Sequence, residues 1–116
     1  VEKGKYIPNK WRRKYFLPYA ANKEYFQVCP GLRSDIIFHK ANLLDINSLP
    51  NNIRVDIIFC RNVFIYLSEE ARAQSLNHFY SRLNDGGHLF LGYSETIDTS
   101  KDNRWAPLGK SIYRKR

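Results

Sequence analysis

Polar residues that could bind a ligand follow three apolar segments of this sequence. Each polar group, given with the segment before it, is as follows: Asn42-Leu43 after Ile36–Phe38, Cys60-Arg61-Asn62 after Val55–Phe59, and Ser94-Glu95 after His88–Tyr93. In open α/β sheets, ligands bind beyond the carboxyl ends of the strands. We therefore expect the three groups to converge on one edge of a sheet. Asparagine amides suit a polar ligand there, because they offer both donors and acceptors.

The common nucleotide and metal motifs are missing from the sequence, which has no GxGxxG, P-loop or HExxH. Cys29 and Cys60 lack CxxC spacing, and the three histidines do not complete a ligand pattern, so we expect no metal site. We expect the two cysteines to be buried thiols in a reducing cytosol, and a disulfide remains an alternative.

A strand, helix and strand that form a βαβ unit are predicted for the second half of the chain. Val55–Phe59 is apolar enough for a strand that is covered on both faces. Ser68 is suited to be a helix N-cap, and apolar residues recur at helical spacing as far as Leu83. We expect Asp85-Gly86-Gly87 to end that helix and His88–Tyr93 to be the next strand.

The remaining elements are predicted to be short. Residues 10–16 are expected to form a helix after Pro8, and Tyr15–Val28 has the two aromatic-rich runs of a β-hairpin, ended by a turn at Pro30-Gly31. Ile36–Phe38 is predicted to be a brief strand, and Lys110–Tyr113 a final one. The fold class is therefore α/β.

The net charge of +8 favours acidic partners, whether nucleic acid, anionic lipid or a carboxylate-rich protein. Basic residues concentrate at Lys10–Lys14 and Arg114–Arg116, where solvated surface is the commoner explanation. No apolar stretch approaches the roughly 20 residues of a membrane span. We expect neither nucleic-acid binding nor membrane insertion.

One longer string points to a specific family. Residues 56–67 read DIIFCRNVFIYL and closely resemble the signature D-x-I-F-C-R-N-V-x-I-Y-F of CheR-type methyltransferases. Further matches follow the family's order. Arg12–Phe16 resembles its basic lead into Y-F, Asn42–Asp45 its N-L-L turn, and Asn84–Glu95 its P-G-G-x-L-x-x-G-H-S-E, with Tyr93 in place of the usual His. The resemblance covers nearly the whole chain from Arg12 onward.

The resemblance implies a partial Rossmann-like class I methyltransferase sheet with a small antiparallel β-subdomain, a hairpin, inserted in it. It implies S-adenosylmethionine as the cofactor, with Asn42 and Leu43 contacting the adenosine part. Arg61 and Asn62 would line the cofactor pocket. Tyr66 would face the methyl group and the incoming carboxylate. A core-packed Tyr66 and a surface salt bridge of Arg61 remain open as alternatives, and Glu95 is expected only to cap or pair locally.

The activity that the resemblance implies is methylation of glutamate side chains on bacterial chemotaxis receptors, in the cytoplasm. The partner would be the cytoplasmic domain of a chemoreceptor or its C-terminal tail. Methyl transfer to a carboxylate chiefly needs orientation in an apolar site, because a sulfonium donor is already activated. A tyrosine hydroxyl can align the carboxylate oxygen without losing its proton.

Three parts of the chain are expected on this basis: a lead-in segment at 1–14, the β-subdomain at 15–31, and the C-terminal part of the methyltransferase domain at 32–116. The family's Gly-rich turn and ribose-binding acid have no counterpart in the sequence. We therefore expect a fragment that is inactive alone and prone to self-association through an exposed strand edge. The main alternative is a non-catalytic CheR-like module that binds a protein partner through its hairpin.

Overall fold

The computed structural model describes residues 6–22 and 24–116, which fall into two compact units divided between His39 and Lys40. The elements before His39 are α1 (Asn9–Tyr15), β1 (Phe16–Pro18), β2 (Phe26–Val28) and α2 (Pro30–Ser34). Strands β1 and β2 are antiparallel, with Phe16 opposite Val28, so the predicted hairpin is confirmed. The helix after Pro8 is confirmed as well. Pro30 begins α2 rather than a turn, a position that suits proline because the first helical N–H needs no partner.

The unit that starts at Lys40 contains a four-stranded mixed sheet and one long helix. Its elements are β3 (Val55–Cys60), α3 (Glu69–Arg82), β4 (Leu83–Leu91), β5 (Trp105–Gly109) and β6 (Ile112–Lys115), with 3-10 turns at Ile46–Ser48 and Phe64–Tyr66. The strand order is β3-β4-β6-β5. β3 and β4 are parallel and α3 connects them, which confirms the predicted βαβ unit. β6 runs antiparallel to both of its neighbours.

Helix α3 begins where the sequence predicts, because Ser68 caps it. The Ser68 Oγ accepts the N–H of Ala71 at 3.2 Å, and Glu69 and Glu70 occupy the first turn, where the helix dipole favours anions. The helix packs one face on the sheet and forms the core of the unit. The buried apolar residues of that core are Cys60, Phe64, Phe79, Leu83, Leu89, Leu91, Ile97, Trp105 and Tyr113.

The junction of α3 and β4 differs from the prediction. The helix ends at Arg82 and the strand begins at Leu83, so Asp85-Gly86-Gly87 lies inside the strand instead of closing the helix. Val55 pairs with Leu83 while Ile57 pairs with His88, which makes this segment a bulge. Leu83 is fully buried, so the core draws the chain into the sheet before the glycines are reached. Gly86 supplies the left-handed residue of the bulge, with φ 76°.

The prediction of a strand at Ile36–Phe38 is wrong. These residues have no regular structure, and the side chains of Ile37 and Phe38 are 79% and 90% exposed. A strand is stable only when its N–H and C=O groups pair with a neighbouring strand. No strand in the described parts of the chain pairs with this segment. Asn42 and Leu43 therefore follow a loop, and not the carboxyl end of a strand.

The expectation that β3 is covered on both faces is also wrong. β3 is an edge of the described sheet, and the side chains of Ile57 and Phe59 are 52% and 68% exposed. Phe59 stacks on Phe90 of β4, with ring centroids 4.7 Å apart. Helix α3 thus covers one face of this sheet and leaves the apolar residues on the other face open.

The C-terminal end of the sheet is larger than predicted. The last strand runs over Ile112–Lys115 instead of Lys110–Tyr113, and it forms a hairpin with β5, which the sequence did not indicate. β5 contains Pro107 and Gly109, both of which weaken a strand pattern. Within residues 6–22 and 24–116, no helix has the length and apolarity that crossing a bilayer requires.

Candidate functional site

The loop that follows β3 presents polar side chains to solvent. Arg61 and Asn62 are exposed, and Tyr66 is 82% exposed, so Tyr66 is not a core aromatic of this unit. In the described parts of the chain, no hydrogen bond or ion pair engages the Arg61 guanidinium, the Asn62 Nδ2 or the Tyr66 hydroxyl. Three polar groups on one loop are therefore free to bind a ligand.

The backbone of Asn62 is left-handed, with φ 59°. Asparagine tolerates this conformation better than most residues, which is a local reason for its presence after β3. The turn directs the N–H groups that follow Cys60 toward the interior of the unit. The Asn62, Phe64 and Ile65 N–H groups all point to one acceptor, the side chain of Glu95.

Glu95 lies beyond the end of β4 and is only 4% exposed. Its Oε1 accepts the N–H of Phe64 at 2.8 Å and that of Ile65 at 3.4 Å. Its Oε2 accepts the N–H of Asn62 at 3.0 Å and that of Gly92 at 2.5 Å. This one carboxylate therefore ties the loop after β3 to the turn after β4, although the two lie about 30 residues apart in sequence.

The charge of the Glu95 carboxylate is sustained by these donors. Burial raises the pKa of Glu95, but the N–H groups of Gly92, Asn62, Phe64 and Ile65 outweigh that effect and lower it below its ordinary value. Glu95 is therefore an anion at neutral pH. Burial, together with the Glu95 carboxylate, raises the pKa of the Cys60 thiol to about 11, so Cys60 is a protonated core residue and not a nucleophile.

Gly92 makes room for this arrangement. A Cβ at position 92 would lie 2.5 Å from the Glu95 Oε2, 2.6 Å from the Asn62 Oδ1 and 2.8 Å from the Asn62 N. Real Cβ atoms do not approach their neighbours so closely, so only glycine fits between the carboxylate and the loop.

Asn42 and Leu43 line a groove of about 250 Å³ beside α3. Apolar side chains of β3 and of residues 46–53 form most of its wall, including Ile57 and Ile58. The His78 Nδ1 lies 2.8 Å from the Leu43 carbonyl. A carbonyl oxygen can only accept, so this contact is a hydrogen bond in the tautomer that carries a proton on Nδ1.

The groove keeps its shape through polar contacts of the Arg82 side chain and of the turn at Asn42. Arg82, at the end of α3, donates to the carbonyls of Ile46 at 2.7 Å and Pro50 at 2.8 Å. The Asn42 Oδ1 accepts the N–H of Leu44 at 3.0 Å, and the Ser48 Oγ accepts the N–H of Asn42 at 2.9 Å. The Asn42 side chain is thus engaged within its own turn.

The structure brings together some of the predicted site residues. Arg61, Asn62 and Tyr66 share one loop, whereas Asn42 and Leu43 border the groove. Among the described residues no hydrogen bond joins these two groups. The wall of the groove is nevertheless formed in part by β3, the strand that leads into the loop.

The turn between β5 and β6 places a cation beside the turn that follows β4. The Lys110 Nζ lies 3.6 Å from the centroid of the Tyr93 ring, a short cation–π contact. The next residue, Ser111, donates from its Oγ to the Glu95 carbonyl at 3.1 Å. Tyr93, the residue that stands where CheR-type sequences have His, therefore packs under a lysine and not in the core.

The described residues hold no cluster of His, Cys, Asp and Glu that could bind a metal ion. Cys29 and Cys60 are both free thiols, Cys60 buried and Cys29 half-buried. The site consequently consists of an exposed polar loop, a buried carboxylate that holds it, and an apolar groove.

Comparison with known proteins identifies the family to which this arrangement belongs. The family described as "CheR methyltransferase, SAM binding domain" matches residues 2–112. The chain belongs to this CheR methyltransferase family. The match includes both the loop after β3 and the turn that carries Glu95.

Several relatives are named as chemotaxis protein methyltransferases. The chain is 36% identical over 93 residues to chemotaxis protein methyltransferase 2 of Vibrio cholerae, covering 80% of this chain and 32% of that protein. It is 38% identical over 96 residues to the chemotaxis protein methyltransferase of Borreliella burgdorferi, covering 83% and 33%. It is 41% identical over 76 residues to chemotaxis protein methyltransferase 1 of Pseudomonas aeruginosa, covering 66% and 27%. The chain thus spans about a third of the length of these curated relatives.

Glu95 and Gly92 are the residues of this CheR site that sequence reasoning missed. A Ser-Glu pair after an apolar strand is expected at any sheet edge, so the sequence alone predicts only a cap or a local pair for Glu95. The nearest signal is the glycine three residues earlier, which leaves space for a carboxylate to fold back on the strand end. The donors from residues 62, 64 and 65 cannot be inferred from spacing.

Proposed function

We propose that this chain is the cofactor-binding portion of a protein-glutamate O-methyltransferase, which transfers a methyl group from S-adenosylmethionine to glutamate carboxylates of chemotaxis receptors. The observation that carries the proposal is the loop of residues 61–66, whose polar groups are free while its backbone is held by Glu95. The names of the relatives support the reaction and the class of substrate.

The described residues fit the proposed cofactor. The free Asn62 Nδ2 could donate to a ribose or adenine edge, and the exposed Arg61 offers donors beside it. Asn42 and Leu43 would contact the adenosine part, for which the apolar groove of about 250 Å³ beside them supplies a suitable surface. S-adenosylmethionine supplies, when bound, a methyl group that is already activated by its sulfonium.

Tyr66 is proposed to orient the substrate carboxylate. Its hydroxyl is exposed and has no partner among the described residues, so it is available to donate a hydrogen bond to a glutamate oxygen. A neutral carboxylic acid would be a poor nucleophile, and Tyr66 aligns the anion without taking part in proton transfer. Lys110, which lies over Tyr93, adds positive charge that favours an acidic substrate.

The finer architecture is proposed from the resemblance. The mixed sheet would be part of a Rossmann-like class I methyltransferase sheet, with the antiparallel hairpin as a β-subdomain inserted in the sequence. The layout would be a lead-in segment at 1–14, the subdomain at 15–31 and the methyltransferase portion at 32–116. The open edge of β3 and its exposed Ile57 and Phe59 support self-association of the 116-residue chain, which sedimentation would test.

The partner is proposed to be the cytoplasmic domain of a chemoreceptor, which would locate the protein in the cytoplasm. The hairpin of β1 and β2 would bind the receptor's C-terminal tail by strand addition. It has only two short strands, so its edges are open within the described residues.

The test is a titration with S-adenosylhomocysteine, combined with transfer of radiolabelled methyl groups to receptor glutamates. We expect binding and transfer by the full-length protein that carries this chain. The test variant Asn62→Gly keeps the left-handed backbone without the amide and should weaken cofactor binding. Its matched control is Asn103→Gly, in another exposed turn. Receptor binding without cofactor binding would favour the non-catalytic module instead.

A further inference from the structure

The hydrogen bonds of Glu95 use both carboxylate oxygens fully. Oε1 accepts from Phe64 and Ile65, and Oε2 accepts from Asn62 and Gly92. All four donors are backbone N–H groups. No cation pairs with this carboxylate among the described residues, so its negative charge is balanced by the backbone alone.

We propose that Glu95 is a positioning residue, whose buried carboxylate holds the loop of residues 61–66 in the conformation that presents Arg61, Asn62 and Tyr66 to ligands. The proposal rests on the proposed function only for the identity of those ligands. Glu95 does not itself face a substrate, because it is buried and its oxygens are occupied. Its effect on the reaction is exerted through the backbone of the loop.

A second contact restrains the same loop from the side of α3. The Arg72 Nε donates to the Phe64 carbonyl at 2.8 Å and to the Leu67 carbonyl at 3.1 Å. Phe64 is buried and stacks on Phe79, with centroids 6.3 Å apart. The loop is therefore held by its N–H groups on Glu95, by a carbonyl on Arg72 and by one aromatic anchor, while its ligand-binding side chains remain free.

Only a carboxylate of this length satisfies the arrangement. In Glu95→Gln one of the two oxygens becomes an NH₂ group, which faces two N–H donors in either orientation of the amide. The variant thus loses the oxygen that accepts two of the four N–H groups, and it places an NH₂ donor against those two donors. Aspartate keeps the charge but is one methylene shorter, so Glu95→Asp should retain the contacts to Gly92 more readily than those to residues 64 and 65.

The experiment compares wild type, Glu95→Gln and Glu95→Asp with the exposed control Glu69→Gln. Each variant is studied in the full-length protein, at a temperature at which circular dichroism shows it to be folded. The measurements are amide hydrogen exchange at residues 62, 64 and 65, the affinity for S-adenosylhomocysteine, and kcat at saturating cofactor. For Glu95→Gln we expect exchange at least tenfold faster at these three amides, and at least tenfold losses in affinity and in kcat.

Glu95→Asp should show smaller changes of the same kind, and Glu69→Gln none. If Glu95→Gln does not fold, Glu95→Asp decides the question on the same measurements. Wild-type exchange at the three amides in a folded variant would overturn the proposal. So would faster exchange with unchanged affinity and kcat, since Glu95 would then only stabilise the fold. The exchange measurement needs no ligand, so it tests the contact of Glu95 with the loop even if the wild-type protein binds no cofactor and the proposed function fails.

Discussion

Replacing Gly92 by alanine tests the packing around Glu95 without removing the carboxylate. The added Cβ would lie 2.5 Å from the Glu95 Oε2 and 2.8 Å from the Asn62 N. To reach an ordinary contact of 3.4 Å, the carboxylate oxygen would have to move by about 0.9 Å. A shift of that size breaks at least one bond to the loop, because the Asn62 N lies 3.0 Å from the same oxygen.

The expected cost has two parts. A lost hydrogen bond to a charged group costs about 1.5–3 kcal/mol, and crowding a methyl group into a packed site costs about 1–3 kcal/mol. We therefore expect Gly92→Ala to lower the free energy of unfolding by about 3–5 kcal/mol. With a urea slope of about 1.5 kcal/mol per molar, the midpoint of unfolding would fall by about 2–3 M.

The assay is urea unfolding followed by fluorescence of the buried Trp105. Gly109→Ala is the matched control, because nothing lies within 4 Å of a Cβ at that position and its φ is not left-handed. The control should stay within about 0.5 kcal/mol of wild type. Equal midpoints for Gly92→Ala and Gly109→Ala would refute the reasoning, since the carboxylate would then not be held against Gly92.

Four further predictions concern the loop and the hairpin. Tyr66→Phe should lower kcat by about tenfold to a hundredfold, because one hydrogen bond in the transition state is lost, and it should leave the affinity for S-adenosylhomocysteine unchanged. Tyr6→Phe is the control. Wild-type turnover of Tyr66→Phe would mean that Tyr66 has no role in the reaction. Asn62→Gly should weaken cofactor binding in calorimetry but not binding of a receptor peptide, and an unchanged cofactor affinity would remove Asn62 from the site. Because the folded pKa of Glu95 lies below its ordinary value of 4.5, its contribution to stability is complete above that pH and is lost as the pH falls through the folded pKa. Wild type should therefore lose stability relative to Glu95→Gln over that range in urea titrations, and a pH-independent difference would contradict the assignment. Receptor tail peptides should first perturb the chemical shifts of residues 15–28, and changes confined to residues beyond Asn42 would exclude strand addition at the hairpin.

Local signals were sufficient for part of the fold. Ser68 and the apolar periodicity that follows it predicted α3, because a cap and an amphipathic face act within one element. The apolar run at Val55–Phe59 predicted β3, since β4 lies beside it and completes the pairing. In each case the interaction that decides the structure lies within the segment or with a predicted neighbour.

The predictions that were wrong concern segments whose structure depends on residues distant in sequence. Ile36–Phe38 is as apolar as a strand, but no described strand supplies the hydrogen bonds that would keep it extended. Asp85-Gly86-Gly87 is a typical helix end, yet burial of Leu83 takes the chain into the sheet first. Apolarity and turn residues indicate which secondary structures a segment can adopt. The structure that it does adopt depends on the neighbouring strands and the core with which it packs.

The same distinction explains why the candidate site was found only in part. Arg61, Asn62 and Tyr66 were predicted from one string, and the structure leaves each of them free for a ligand. Glu95 belongs to a separate string, and no periodicity connects it with residues 62–65. In the folded chain the two strings are one physical unit, because the carboxylate of the second binds the N–H groups of the first. A substitution in the Gly92–Glu95 turn should therefore affect ligand binding through the loop of residues 61–66, although no residue of that turn needs to touch the ligand.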